Sequence, residues 1–200
     1  MSRYKRLSWL LLGFGVISIC IIAIVFPRHR SGPFISAVIK DEYSLEGELV
    51  FHGAEETWHH HVLEYHDDAN YGIEYLGRSY FVIDGQYFID DGKGRVLVSE
   101  LEEEMHQIEE MFARVSVLSN YNFSNLEYSK SFSTDIPEIS SGETISCICE
   151  EYIVKDLEKD AEKTVRIYFN NDKLYAIQAR EDLRFIFYVT NFSESPQQYF

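Results

Sequence analysis

Two Asp-Gly pairs, Asp84-Gly85 and Asp91-Gly92, constrain the fold of this 200-residue chain more than any other feature of its sequence. Each pair lies between short runs of aromatic and β-branched residues. Glycine supplies the positive φ that a type I′ turn requires, so Asp-Gly between such runs predicts a tight hairpin. Two hairpins in succession predict an antiparallel meander with strands at residues 79–83, 86–89 and 95–98.

One amphipathic helix is predicted directly after this meander. Ser99 is a good N-cap, and Glu102 three residues later completes a capping box. Apolar residues then recur every three or four positions, which forms one stripe along a helix. The stripe contains Leu101, Met105, Ile108, Phe112, Val115 and Leu118. We expect this stripe to lie against a sheet.

The remaining strands are predicted on both sides of that helix, at residues 45–52, 56–66, 71–75, 122–132, 144–154, 164–169, 174–179 and 183–189. Residues 133–142, with Pro137 and Gly142, are predicted to form a loop. Residues 155–163 are predicted to form a loop or a single helical turn. The fold class is therefore α+β and mostly β, a curved antiparallel sheet or half-barrel of about eight to ten strands with one main amphipathic helix.

An N-terminal transmembrane helix is predicted to precede this domain. Leu7–Phe26 contains no charge and would span about 30 Å, the thickness of a bilayer core. Three basic residues before it favour a cytoplasmic N-terminus. We expect a single-pass, uncleaved signal-anchor at the cell membrane; a cleaved signal peptide is the alternative, which the bulky residues 22–26 disfavour. The predicted organisation is 1–6 cytoplasmic, 7–26 transmembrane, 27–42 connector and 43–200 extracytoplasmic β-rich domain.

The charge distribution excludes nucleic acid as a partner. Five of the 18 Lys and Arg residues lie before residue 31, and all 33 Asp and Glu residues lie after it. Residues 31–200 therefore carry 13 basic against 33 acidic side chains, a net charge of −20. A surface this acidic repels phosphate backbones.

The histidines are the candidate metal ligands. In an extended strand, His59 and His61 share one face, and His52 in the neighbouring strand would bring a third imidazole to zinc or copper. There is no clear fourth ligand, and a polar strand face that meets water is the alternative. We expect no cofactor.

Cys147 and Cys149 are the remaining chemically reactive pair. On a strand both side chains point to the same face, at the limit of disulfide geometry. They form either a strained disulfide or small buried apolar positions. The sequence contains no motif of a known catalytic mechanism, and we do not expect an enzyme.

Aromatic residues make up 15% of the chain and concentrate in the predicted strands. They either fill the interior or line an apolar cavity for a lipid or acyl chain. The candidate cavity residues lie on the helix, and they are Leu101, Met105, Ile108 and Phe112.

Three segments and the amphipathic helix between them resemble the lipoprotein-carrier superfamily, which includes periplasmic lipoprotein chaperones and mycobacterial lipid-binding lipoproteins. The segments are YLGRSYFVIDGQYFIDDGKG (75–94), TVRIYFNNDKLYAIQAR (164–180) and FIFYVTNFSESPQQYF (185–200). The resemblance implies a half-barrel with a helical lid and an apolar cavity. It also implies a non-catalytic, membrane-anchored extracytoplasmic domain that binds a hydrophobic ligand or a lipidated partner. The alternatives are an envelope interaction module with a filled core, which would bind another envelope protein, and a metal-binding domain built on the histidines.

Overall fold

The protein is described by a computed structural model over residues 32–52, 56–98, 102–139, 141, 143–157, 160–179 and 185–195. Within these ranges the chain forms two helices, α1 (Gly32–Ile39) and α2 (Glu102–Val115), and eleven strands. The strands are β1 (Glu42–His52), β2 (Thr57–Asp67), β3 (Asn70–Tyr75), β4 (Arg78–Ile83), β5 (Gln86–Asp90), β6 (Arg95–Leu97), β7 (Tyr121–Pro137), β8 (Thr144–Asp156), β9 (Ala161–Asn170), β10 (Lys173–Gln178) and β11 (Phe185–Ser193).

All eleven strands belong to one antiparallel sheet, in the order β6-β5-β4-β3-β2-β1-β11-β10-β9-β8-β7. The order consists of two meanders, β1–β6 and β7–β11, in which every strand pairs with its neighbour in sequence. They are joined where β1 pairs with β11, from Ser44 opposite Ser193 to Phe51 opposite Phe185. This seam is the only pairing between the two meanders in the described part of the chain.

The turns between the early strands follow from residues that accept positive φ. Asp84 and Gly85 have φ of 51° and 74° and connect β4 to β5. After β5, the Asp90 carboxylate accepts hydrogen bonds from the N–H groups of Gly92 and Gly94, at 2.8 and 3.0 Å. Short side chains and glycines at these positions therefore fix the pairing of β4, β5 and β6.

The main core lies on the face of the sheet against which both helices pack, here called the helix face. Phe34 and Val38 of α1 and Ile108 and Phe112 of α2 are buried there. Alternate residues of the strands complete this cluster because side chains alternate between the two faces. The sheet residues buried in it include Tyr43, Leu45, Val62, Ile73, Val154, Val165, Ile167, Ile177 and Phe187.

The opposite face, here called the outer face, carries two smaller apolar clusters. One is centred on Leu63, Tyr65 and Phe81, and the guanidinium of Arg95 lies 4.0 Å from the Phe81 ring centre. The Tyr65 ring also covers Gly72 on β3, the residue opposite it in the ladder. The other cluster includes Val50, Cys149, Ala176, Ile186 and Tyr188. Both faces of the central strands therefore carry buried apolar residues.

The predicted fold class was wrong in its helices and its number of strands. The structure has eleven strands and two short helices in its described part, where about eight to ten strands and one main helix were expected. Two regions predicted as irregular also belong in part to strands. β7 continues to Pro137 through residues predicted as loop, and β8 and β9 extend to Asp156 and from Ala161. Much of β7 is exposed because it is an edge strand, so its serines show no apolar alternation.

The predicted transmembrane helix is not supported. No helix in the described ranges is long and apolar enough to cross a membrane. The longer of the two, α2, has 14 residues and would reach about 21 Å, against about 30 Å for a bilayer core. Residues 7–26, on which the prediction of a membrane anchor was made, lie outside the described ranges.

The close approach of β1 and β11 predicts how a methyl group added at Gly47 changes the free energy of unfolding. A Cβ atom on Gly47 would lie 2.0 Å from the carbonyl oxygen of Tyr188, at a register shift in the seam. We expect Gly47→Ala to lower the free energy of unfolding by about 3 kcal/mol, because backbone must move. Gly32→Ala is the control, since a Cβ atom there meets nothing within 4 Å, and it should change stability by less than about 0.5 kcal/mol. Urea denaturation measures both, and equal effects would contradict the close approach.

Candidate functional site

A cleft of about 510 Å³ opens between α2 and the helix face of the sheet, and we call it the apolar cleft. Its lining is mostly apolar, with Met111 and Val115 contributed by the helix. The sheet contributes Leu49, Trp58, Tyr75 and Phe185, and the polar lining residues are His60, Gln107, Glu110 and Arg114. Glu110 and Arg114 form an ion pair one helical turn apart. A mainly apolar concavity with a few polar groups is the usual composition of a small-molecule site.

Aromatic rings form one wall of the apolar cleft. The Phe51 ring lies 5.3 Å from Trp58 and 4.6 Å from Phe185, measured between ring centres. Trp58 is nevertheless 52% exposed, and its indole N–H donates a 3.3 Å hydrogen bond to exposed Glu56. A tryptophan this exposed leaves much of its apolar surface in water. The wall therefore presents apolar surface that a bound molecule would cover.

The position of α2 on the sheet is fixed by one buried carboxylate, Glu64 of β2, which is 1% exposed. It lies on the helix face because it alternates with Leu63 and Tyr65, which lie on the outer face. The segment just after α2 turns its N–H groups toward it. The donors to Glu64 are the N–H groups of Val117 (2.6 Å), Leu118 (3.1 Å) and Ser119 (3.1 Å) and the hydroxyl groups of Tyr43 (2.9 Å) and Ser116 (3.0 Å). Five donors replace the water that a buried carboxylate loses.

His66, two residues further along β2, lies beside this carboxylate. Its ring stacks between Tyr43 and Tyr71, with centres 4.8 and 5.6 Å away. Its Nε2 atom is buried without a hydrogen-bond partner among the described residues, and the nearest oxygen of Glu64 is 3.8 Å away. Burial lowers the pKa of His66, against the opposing charges of Glu64 and Asp41. The imidazole is therefore neutral at neutral pH.

The predicted cavity residues lie beside the apolar cleft. Ile108 and Phe112 are buried in the main core, and Met105 is half-buried, while Leu101 lies outside the described residues. The helix positions that line the cleft are Gln107, Glu110, Met111, Arg114 and Val115. Val115 belongs to the predicted apolar stripe, and the other four positions lie beside it. Met111 is apolar but lies outside the predicted stripe, and it was therefore not predicted as a cavity residue.

The predicted metal ligands are placed with carboxylates near them. The Nδ1 atom of His59 lies 3.4 Å from Oε2 of Glu48, and Nε2 of His61 lies 3.3 Å from Oε1 of Glu46. All four side chains are on the outer face. His52 is opposite Thr57 in the ladder, two positions from the Val50–His59 pair. Within the described ranges, no group of three or more His, Cys, Asp or Glu side chains is arranged to hold a metal ion. The middle histidine, His60, lies on the other face and contacts Tyr75 edge-on at 5.3 Å.

A second concavity of about 440 Å³, here called the polar pocket, lies at the end of the β3–β4 hairpin. The three consecutive histidines 59–61 form one side of it. The remaining lining residues are Glu74, Tyr75, Leu76, Gly77, Arg78, Ser79, Asp90 and Gly92. His60 and Tyr75 line both this pocket and the apolar cleft, so the two concavities adjoin.

Cys147 and Cys149 are free thiols in the apolar cluster of the outer face. Burial raises the pKa of Cys147, and it raises the pKa of Cys149 to about 12. Both side chains are therefore protonated at neutral pH, and a protonated thiol is a poor nucleophile. The pair acts as core residues in this structure.

Comparisons with known proteins identify no family for this chain. No protein-family model matches the chain, and a search of curated proteins gives no match. Among solved structures, the chain is similar to one in "The complex structure of Pseudomonas aeruginosa MucA/MucB", with 13% sequence identity and a TM-score of 0.25. The match covers 82% of this chain and 56% of that chain, and the words of its description concern a complex of two proteins. A TM-score of 0.25 carries no argument about fold or partner.

The hydrogen bonds of Glu64 predict how far its replacement by glutamine, which has nearly the same shape, lowers the free energy of unfolding. We expect Glu64→Gln to lower the free energy of unfolding by about 3 kcal/mol, because an amide nitrogen would face N–H donors. Glu46→Gln on the exposed outer face is the matched control and should cost less than about 0.5 kcal/mol. Urea denaturation gives both values. Amide exchange of residues 117–119 should accelerate only in Glu64→Gln, and unchanged exchange there would contradict the anchoring role.

His66 predicts a pH dependence of stability. Because its pKa is lower in the folded than in the unfolded state, the unfolded chain binds more protons below about pH 6.5. The free energy of unfolding is therefore unaffected by His66 above about pH 6.5, and it falls as the pH decreases toward the folded pKa. We expect the free energy of unfolding to decrease in that interval, and His66→Gln to remove this part of the slope. His61→Gln, at an exposed site, should keep the slope, and parallel profiles for wild type and His66→Gln would refute the prediction.

Proposed function

We propose that this protein is a binding protein that holds the apolar chain of a lipid-like molecule, free or attached to a partner, in the apolar cleft. The observation that carries the proposal is the cleft itself, a mainly apolar concavity of about 510 Å³ with a half-exposed tryptophan at its wall. Sites for small molecules usually have volumes of about 300–1,000 Å³ and this kind of lining.

The energetics of the lining support an apolar occupant. Covering apolar surface contributes about 25 cal/mol for each Å² removed from water. Trp58, Phe185, Leu49 and Met111 offer such surface on both the sheet and the helix. Met111 also adapts its shape to an occupant, because its side chain is unbranched and flexible. A flexible alkyl chain matches a cleft of this composition.

The chemistry of the lining supports binding rather than catalysis. The lining residues include no serine, threonine or cysteine, so the cleft offers no hydroxyl or thiol nucleophile other than Tyr75. Glu110 and Arg114 are engaged in an ion pair on the exposed side of α2, and the His60 ring contacts Tyr75 edge-on. The proposal also agrees with the resemblance to the lipoprotein-carrier superfamily, which implies an apolar ligand under a helical lid.

Trp58 gives a direct test in the full chain. The chain contains two tryptophans, so Trp9→Phe leaves Trp58 as the sole indole reporter. We expect dodecyl maltoside, added below its critical micelle concentration, to shift the Trp58 emission to shorter wavelength in a saturable way, because the alkyl chain removes water from the indole. Native mass spectrometry of the same sample should show one added molecule.

Two substitutions by glutamate on α2 test whether the apolar cleft is the binding site. Met111→Glu places a charge on the cleft wall and should weaken dodecyl maltoside binding at least about tenfold, because the charge loses water when the chain binds. Ala113→Glu adds the same charge at an exposed position of the same helix and should leave the affinity unchanged. The proposal fails if no alkyl compound changes the emission, or if both variants bind equally well.

A further inference from the structure

The apolar cleft adjoins the polar pocket. The two concavities share His60 and Tyr75, whose rings meet edge-on at 5.3 Å. Beyond these rings the lining changes from mostly apolar side chains to charged and polar ones. A molecule that lies along both concavities therefore meets an apolar environment at one end and a polar environment at the other. This sequence of environments matches an amphiphile, with an apolar chain and a polar headgroup.

The polar pocket contains backbone groups that are not used by the sheet. β2 pairs with β3 only from Val62, which lies opposite Tyr75, to Asp67, which lies opposite Asn70. Thr57–His61 therefore pair with β1 on one side and with no described residue of β3 on the other. Such a free strand edge offers N–H donors and C=O acceptors. It lies along the pocket wall formed by His59, His60 and His61.

Charges of both signs line the same pocket. The guanidinium of Arg78 lies at the start of β4, and none of the ion pairs among the described residues uses it. Glu74 and Asp90 bring two carboxylates. One oxygen of Asp90 accepts hydrogen bonds from two N–H groups of the following loop, so this carboxylate is held in place. The pocket therefore presents one positive group and two negative groups, of which the Asp90 carboxylate is held in place.

We propose that the polar pocket holds a zwitterionic headgroup of the amphiphile whose chain occupies the apolar cleft; the inference rests on the proposed function. Arg78 pairs with the anionic part of the headgroup, and Glu74 and Asp90 pair with its cationic part. A headgroup with only negative charge meets two carboxylates in the pocket and a domain of net charge −20 over residues 31–200. A headgroup without charge leaves the guanidinium and both carboxylates without an ionic partner.

Three probes with the same alkyl chain separate the headgroup from the chain. Dodecylphosphocholine is zwitterionic, dodecyl maltoside is neutral and dodecanoate is anionic. Each is titrated below its critical micelle concentration into the full-length Trp9→Phe protein, and Trp58 emission reports binding. We expect dodecylphosphocholine to bind about tenfold more tightly than either of the others. A ratio of this size corresponds to the net free energy of one hydrogen bond to a charged group.

Two substitutions in the polar pocket test the assigned contacts. Arg78→Gln should remove the preference for dodecylphosphocholine over dodecyl maltoside. Glu74→Gln should reduce the same preference and strengthen dodecanoate binding. Lys173→Gln removes one positive charge at an exposed position of β10 outside both linings, and it is the control for net charge.

The outcomes distinguish the two proposals. Equal affinities for the three probes, or a dodecylphosphocholine preference that Arg78→Gln and Lys173→Gln affect alike, would overturn the headgroup assignment. If Met111→Glu still weakens every probe in that case, the apolar cleft remains the binding site. If no probe shifts the Trp58 emission, the proposed function itself fails.

Discussion

The pairing of β1 with β11 is the constraint on which the rest of the structure depends. It joins two meanders, in each of which strands adjacent in sequence pair with each other. It also pairs residues that are as distant in the sequence as Ser44 and Ser193. Non-local contacts of this kind cost loop-closure entropy before they contribute any stability. The seam offsets that cost with eight residue pairs and a close backbone approach at Gly47. Phe192 at its end packs edge-on against Phe34 of α1, so the seam also positions the first helix.

The second constraint is the carboxylate of Glu64, because it decides where α2 lies. A buried charge is costly unless every lone pair has a donor, and a satisfied one specifies a single arrangement of its donors. The donors to Glu64 come from the segment after α2 and from Tyr43 on β1. The end of the helix is therefore tied to a particular point of the sheet. The apolar cleft is the space left between the helix so anchored and the strands β1, β2, β3 and β11.

The proposed function depends on neighbouring surfaces of different chemistry. The helix face provides aromatic and aliphatic side chains beside α2, and the shortened β3–β4 hairpin leaves a free edge of β2 with charged groups around it. His60 and Tyr75 stand at the boundary between them. The strongly acidic surface of the domain makes an anionic polymer a poor partner. The proposed ligand, an apolar chain with a charge-balanced headgroup, would use both surfaces without opposing that charge.

Local chemistry in the sequence determined much of this fold. Positive φ at Asp84 and Gly85 follows from which residues tolerate it, and the strands on either side were predictable from their apolar alternation. The amphipathic stripe of α2 was also local information, and Ile108 and Phe112 lie in the core as their spacing indicates. Where exposure removed the alternation, as along β7, the sequence carried too weak a signal, and part of the strand was predicted as a loop.

Tertiary structure alone decided which of these residues form a site. Glu64 is one carboxylate among 33 Asp and Glu residues, and only the folded chain brings residues 116–119 to it. The same applies to Met111, which lines the cleft because α2 docks beside Leu49 and Phe185 of the sheet. Periodicity fixes which side chains share a face, but contacts across about 50 residues or more depend on how separate elements dock, and no local pattern encodes that geometry.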